Sequence, residues 1–293
     1  EYMDSFLSLK PKMEIILNID SDHLDYFKDI DHIVSSFDRF AHLVPEAGTI
    51  IAYDANPFVN RVIQGLDNVV TFGLNENCDY CAKNILFDEN GMPSFDVFHK
   101  GEKLNRVQLR IPGEHNILNA LAAYACGHTL GVDSEIIKET LESYHGTQRR
   151  FDIVGTTSKG VKIVDDYAHH PTEIKATLDA SQNVPHNKLW CLFQPHTYTR
   201  TMALFDDFAE AFNKADKLIL AEIYAAREKN IYKISSAQLA ERIQQTHPNK
   251  EVLFMESFDA IADYVDRNAQ PGDMVITMGA GDIYKVGEML LEK

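Results

Sequence analysis

The residues best suited to chemistry sit in short polar clusters, each placed directly after an apolar run. In LNIDSDHLDYF, residues 17–27, Asp20, Asp22, His23 and Asp25 crowd beyond a strand-like stretch. Their oxygens and imidazole can hold a divalent ion directly or through water. A capped turn, with Asp20 or Ser21 as the cap and His23 in solvent, is the plainer alternative. In GEHNILNALAAYACG, residues 113–127, Asn116 and Asn119 are three apart and share one face of a helix. Their amides can pair with a purine edge, or Asn116 can simply cap the helix while Asn119 stays solvated.

Further along, GTQRRFD at 146–152 offers Arg149 and Arg150. Either guanidinium can clamp a phosphate with two parallel bonds, or make an ordinary surface ion pair. VDDYAHHPTEIKATL, residues 164–178, places Asp165, Asp166, His169 and His170 before Pro171, a residue preferred in the first turn of a helix. The bland reading of that stretch is a polar strand–helix loop. FQPHTYTRTMALFDDFAEAF, residues 193–212, repeats the arrangement with His196, Thr197, Tyr198 and Arg200. Its Phe205, Phe208 and Phe212 stripe has helical spacing and reads as core rather than as a ligand box. AEIYAAREKN then brings Arg227 and Glu228, and MGAGDIYKVG brings Gly279 to Asp282. A glycine turn lets a ligand approach closely, but GAG without a following GK is not a phosphate loop. Each signal is weak alone, whereas successive strand ends carrying such clusters point to one cleft.

The elements that position these groups follow from the hydrophobic pattern. Up to about residue 73 it reads strand (EIILNI), helix (30–43), strand (TIIAY), helix (57–64) and strand (VVTF), the alternation of an open α/β sheet. CAKNILF, SFDVFHK and NRVQLRI follow as three strand-like runs, with Asn90-Gly91 as a turn, and predict a small antiparallel excursion. An Ala- and Leu-rich helix from Gly113 and another over 133–143 close this half. The pattern lapses at 145–148, so a domain boundary is placed at 147/148. Beyond it strand and helix alternate almost without interruption, predicting a mainly parallel, doubly wound sheet whose ligands sit beyond the carboxyl ends of the strands.

Length allows two domains in 293 residues. A formal net charge of −16 opposes binding to a nucleic-acid backbone, though it leaves room for a nucleotide held by a few converging cations. No apolar run reaches the roughly 20 residues that span a bilayer, and no basic-then-apolar leader is present, so a cytoplasmic location is expected. Of Cys78, Cys81, Cys126 and Cys191 only the first two are close in sequence, which favours free thiols over a metal site. The chain starts at Glu1 and a strand arrives almost at once, as in a piece of something longer.

NIDSDHLD, GEHNILNALAA, RRFD, DDYAHHPTE, FQPHTYTR and GAGDI, in this order and spacing, resemble the Mur ligase family over essentially the whole chain, and within it the branch acting on muramate and alanine. The resemblance implies the remainder of a central ATPase α/β domain, residues 1–147, followed by a Rossmann-like doubly wound C-terminal domain, residues 148–293. It also implies a ligase that uses ATP and Mg2+ to activate the lactyl carboxylate of UDP-N-acetylmuramate as an acyl phosphate, which the amine of L-alanine then attacks, in peptidoglycan precursor synthesis. Carried residue by residue, His23 and Glu1 become metal ligands, Asn116 and Asn119 adenine contacts, Arg150 a phosphate contact and Asp166 a ribose or nucleotide contact. His169, His196 and Arg200 become the site for alanine and the muramoyl carboxylate. Two departures stand out. The family's GxxGK[ST] phosphate loop is nowhere in the chain, which is therefore expected to be inactive alone. Thr197 stands where many relatives carry Arg, so its role is expected to pass to Arg200 or Arg227. A related ligase that recycles murein tripeptide and a non-catalytic nucleotide-binding module remain alternatives.

Overall fold

The computed structural model describes residues 2–24 and 26–293, so Glu1, one of the two expected metal ligands, and Asp25 lie outside the described residues. The chain forms two compact units, one running to His145 apart from the turn Glu89–Gly91, the other comprising Gly146–Lys293 with that turn.

In the first unit β1 (Met13–Ile16), β2 (Thr49–Tyr53) and β3 (Val69–Gly73) run parallel, joined through α1 (Ile30–Ala41) and α2 (Pro57–Ile63). Both helices begin where a side chain satisfies first-turn amides. Asp29 accepts from His32 N at 2.8 Å, and Asn56 accepts from Phe58 and Val59 N at 2.9 and 3.0 Å. The antiparallel excursion is β4 (Tyr80–Phe87), β5 (Pro93–His99) and β6 (Glu102–Gln108). It is not a separate piece, because β4 pairs in parallel with β3 at Phe72↔Tyr80 and Gly73↔Cys81, giving one sheet in the order β1-β2-β3-β4-β5-β6. A parallel connection normally needs a dozen residues or more. Here the residues 74–79 suffice because only two pairs overlap.

Alternation along the strands splits the core of this sheet. Ile16, Ile50 and Ala52 meet Ile33, Val34, Val59 and Val62 of α1 and α2. Ile51, Phe72, Phe95, Val97 and Val107 meet Ile117, Leu121 and Tyr124 of α3 (Glu114–Thr129), beside which α4 (Ser134–Ser143) packs on β6. Glu14 breaks the apolar rule: its side chain is buried on β1, and neither carboxylate oxygen has a partner among the described residues.

The second unit has strands β7 (Asp152–Thr156), β8 (Lys162–Asp166), β9 (Leu189–Phe193), β10 (Lys217–Leu220), β11 (Glu251–Phe254) and β12 (Met274–Met278), in the order β11-β10-β9-β12-β8-β7. All neighbours are parallel except β7 and β8. From β8 to β11 the connections through α5 (Pro171–Ser181), α6 (Tyr198–Ala203), α7 (Phe205–Ala209) and α8 (Ser236–Thr246) cross the sheet one way. The return through α9 (Phe258–Asn268) to β12 crosses it the other. A right-handed crossover then puts α9 on the opposite face, where the final α10 (Tyr284–Leu291) packs beside it. Accordingly Trp190, Leu192, Ile219 and Val275 pack with Ile261, Val265, Val286 and Leu290, while on the other side Phe193 meets Phe208 and Phe212 at 5.7 and 5.0 Å between ring centres. Of the phenylalanine stripe, Phe205 and Phe208 lie on α7 and Phe212 falls in the turn after it, while Leu204, itself buried, separates α7 from α6.

Candidate active site

Because β12 lies between β8 and β9, connections leave its neighbours toward one face and its own end toward the other, opening a crevice at the carboxyl ends. His169 follows β8, His196 and Arg200 follow β9, Tyr224 follows β10, and Gly279 to Asp282 follow β12. The expected trio is brought together. The His169 and His196 rings stand 5.8 Å apart at 70°, and Arg200 Nη1 donates to the His196 carbonyl at 3.1 Å.

His196 is half-buried and held from several sides. Its ring stacks on Tyr224 at 5.5 Å and 12°, and its backbone forms an isolated parallel bridge with Tyr224, whose N–H reaches Pro195 O at 2.9 Å. Burial lowers its basicity, and the neighbouring His169 and Arg200 lower it further. The imidazole is thereby favoured in the neutral form, able to accept a proton. His169 is oriented by its own loop. Its N–H donates to Glu173 Oε2 at 3.0 Å, and its Nδ1 lies 3.0 Å from Tyr167 O. His170 serves local structure, capping α5 from the residue before Pro171 in a reciprocal arrangement with Glu173.

Two groups singled out for ligands are turned inward. Asp166 is 4% exposed, and its oxygens accept from Phe151 N at 2.9 Å, Ala168 N at 2.7 Å and Thr177 Oγ1 at 3.1 Å. Burial pushes its pKa up, against the pull of those bonds. Arg149 lies between the rings of Tyr167 and Tyr284 at 4.9 and 4.8 Å, and its guanidinium donates to Asp165 Oδ2 and Gly279 O, both at 2.8 Å. It ties the ends of β8 and β12 together. Arg150, by contrast, is an exposed cation, its side chain 51% accessible and paired with Glu173 at 3.2 Å. The close approach permitted by the GAG turn is to protein. A methyl group on Gly281 would lie 2.4 Å from Gln194 Oε1, and that same oxygen accepts from Asp282 N at 2.8 Å.

The sequence pattern does not single out Tyr224, and it places Glu228 with Arg227 in one of the polar clusters. An aromatic after β10 was the one available signal for Tyr224, and its pairing with the preceding strand end has no local signature.

In the first unit, Asn116 Nδ2 donates to Pro112 O at 2.8 Å and Asn119 Nδ2 reaches Asn116 Oδ1 at 3.4 Å. Asn116 does not cap α3. Gly113 holds that position without a side-chain bond, at φ 104°, a backbone setting that favours glycine. Asn119 is exposed on the same face. Among the described residues between β1 and Asp29, which caps α1, none is helical, and neither Asp20 nor Ser21 is a helix cap. Asp20 and Asp22 instead accept from the next residue's N–H, at 2.8 and 2.7 Å. His23 adopts φ 52°, with its side chain 42% exposed and 3.9 Å from Asp22. No group of three His, Cys, Asp or Glu among the described residues is arranged to hold a metal. All four cysteines are free thiols, and burial pushes Cys78 up to about 12, far from a reactive thiolate. No described helix is long and apolar enough to cross a membrane.

Family models match both units. Residues 2–127 match the Mur ligase middle domain, and residues 149–281 match the glutamate ligase domain of the Mur ligases. Over 100% of its length the chain is 50% identical to the UDP-N-acetylmuramate–L-alanine ligase of Caldanaerobacter subterraneus subsp. tengcongensis and 48% identical to that of Clostridium tetani. It spans 63% of the length of each of these relatives. A solved UDP-N-acetylmuramate–alanine ligase from Thermotoga maritima superposes with a TM-score of 0.78 at 25% identity, covering 99% of this chain and 61% of that one. With both domains matched in order and every residue of the chain inside such an alignment, the chain belongs to the Mur ligase family, of which it carries the middle domain and the glutamate ligase domain.

Proposed function

We propose that the protein containing this chain is an ATP-dependent ligase that joins L-alanine to the lactyl carboxylate of UDP-N-acetylmuramate, a step of peptidoglycan precursor synthesis in the cytoplasm. The observation that carries this reading is the His169, His196 and Arg200 cluster at the strand ends, in a chain half identical to ligases of that name. Arg200 is placed to hold a carboxylate, as planar guanidinium groups do. A half-buried, neutral His196 is suited to take the proton that the amine must lose as it attacks an activated carbonyl. His169 beside it, oriented by Glu173, lines the same space.

For the nucleotide, Asn116 and Asn119 supply amide donors and acceptors for a purine edge, and Arg150 supplies an exposed cation for phosphate. Asp166 acts at one remove, by holding the Tyr167–His170 turn. Mg2+ keeps several waters and takes oxygens from the phosphates, so one exposed imidazole, His23, fits as its contact on this chain, direct or through water. The ion would neutralise charge on the transferring phosphoryl group.

The test is ADP release by the full-length protein with UDP-N-acetylmuramate and L-alanine, compared with murein tripeptide in place of the amino acid. Turnover with L-alanine is expected. Turnover with tripeptide alone would make it a recycling ligase, and ATP binding without turnover on either would make it a nucleotide-binding module.

A further inference from the structure

The stretch from β9 into α6 carries two groups of the proposed reaction, His196 ahead of the helix and Arg200 within it, and the part ahead of the helix has little regular structure to hold it. Beyond the bridge at His196, its next anchor is one side chain from far along the sequence. Glu228 Oε1 accepts from the Thr197 hydroxyl at 2.6 Å, and Oε2 accepts from the Thr199 N–H at 2.8 Å. Thr199 N–H is a first-turn amide with no partner inside its own helix, and Thr197, at the capping position, makes no capping bond. Glu228 does that work from outside the helix. The two anchored residues are the immediate chain neighbours of His196 and Arg200 respectively. Burial raises the carboxyl pKa, but the bonds from Thr197 and Thr199 outweigh it and keep the group ionised.

We propose that Glu228 is a positioning residue for the ligase reaction, setting the places of His196 and Arg200 by fastening Thr197 and Thr199. This rests on the reading of those two groups given above and adds to it a carboxylate from the loop after β10. Neither oxygen of Glu228 is directed at substrate in this role. Its effect reaches the chemistry through the geometry of the loop, where a displacement of about 1 Å can cost on the order of 100-fold in rate.

The experiment uses the full-length protein with Glu228→Ala, Glu228→Gln and Thr197→Val. Glu228→Ala is expected to lower kcat about 10- to 100-fold, leaving KM for ATP and the unfolding midpoint unchanged. Glu228→Gln keeps one acceptor and should restore part of the loss. Thr197→Val should add nothing in the Glu228→Ala background, because the hydroxyl has already lost its partner. An unchanged kcat overturns the proposal, and so does a parallel fall in kcat, ATP binding and unfolding midpoint, which marks a purely structural role. Hydrogen exchange at the Thr199 amide is read in the same variants and does not depend on turnover: faster exchange in Glu228→Ala is expected, and unchanged protection overturns the proposal. A wild-type protein that protects Thr199 but turns over no substrate counts against the ligase reading instead.

Discussion

The two units hold their candidate groups in different ways. In the second, His196 is stacked, bridged and hydrogen-bonded through Tyr224, Arg200 and the loop after β10, and Asp166 and Arg149 lock the neighbouring strand ends. In the first, the contacts of His23 and Asn119 among the described residues are short-range, and Asn116 ties the entry to α3 and accepts from Asn119. A group that must hold a reacting amine within a few tenths of an ångström of its target gains from a rigid frame. Groups that only recognise a nucleotide can be ordered by the ligand itself, at some cost in affinity. On the function proposed above, the contrast is between a preorganised region and one that the nucleotide would complete on binding.

The largest expected effect tests whether the frame of the second unit is structural. Asp166→Ala leaves two backbone amides and a hydroxyl without their acceptor in the interior, which should destabilise this unit by about 4 kcal/mol. Trp190, the only tryptophan and buried in the core of that unit, reports the loss by fluorescence during urea unfolding. A midpoint unmoved by the substitution would return Asp166 to the role of a ligand contact. Arg200→Ala should behave oppositely. Turnover of the full-length protein should fall roughly 100- to 1000-fold, through use of the amino acid or the muramoyl carboxylate, while the Trp190 transition stays in place. A shifted transition would show that Arg200 belongs to the frame.

Glu14 offers a pH signature for the first unit. Burial, with no partner among the described residues, pushes its carboxyl from 4.5 up to about 7. A carboxyl whose folded pKa lies above its unfolded value favours the fold below the unfolded value, and that contribution is lost as pH rises from about 4.5 through about 7. The loss is on the order of 3 kcal/mol, and Glu14→Gln should abolish it. Parallel stability curves for the two proteins between pH 4 and 8 (on the order of the range where His and Glu titrate) would mean that the carboxylate is solvated. The smallest effect is expected for Arg150→Ala, with about tenfold weaker ATP binding, measured calorimetrically on the full-length protein, and a stability change below about 0.5 kcal/mol, since its pair with Glu173 is exposed. Unaltered ATP affinity would remove Arg150 from the nucleotide site.

Much of this could be read from local pattern. The βα alternation, the antiparallel run after residue 79, Pro171 opening a helix and polar clusters after successive strands all follow from side-chain period and helix-end chemistry, which act over a few residues. The same clusters, by their order and spacing, were enough to suggest the family. What only the tertiary structure decided is which polar groups face a ligand and which face the protein. Arg149 and Arg150 are adjacent and chemically identical, yet one is sandwiched between Tyr167 and Tyr284 and the other is exposed. Asp166 finds its donors in Phe151 and Thr177, and Thr197 finds Glu228 31 residues away. A hydrogen bond is satisfied by whatever the fold brings within about 3 Å, and partners supplied by other strands and loops leave no periodic trace in the chain.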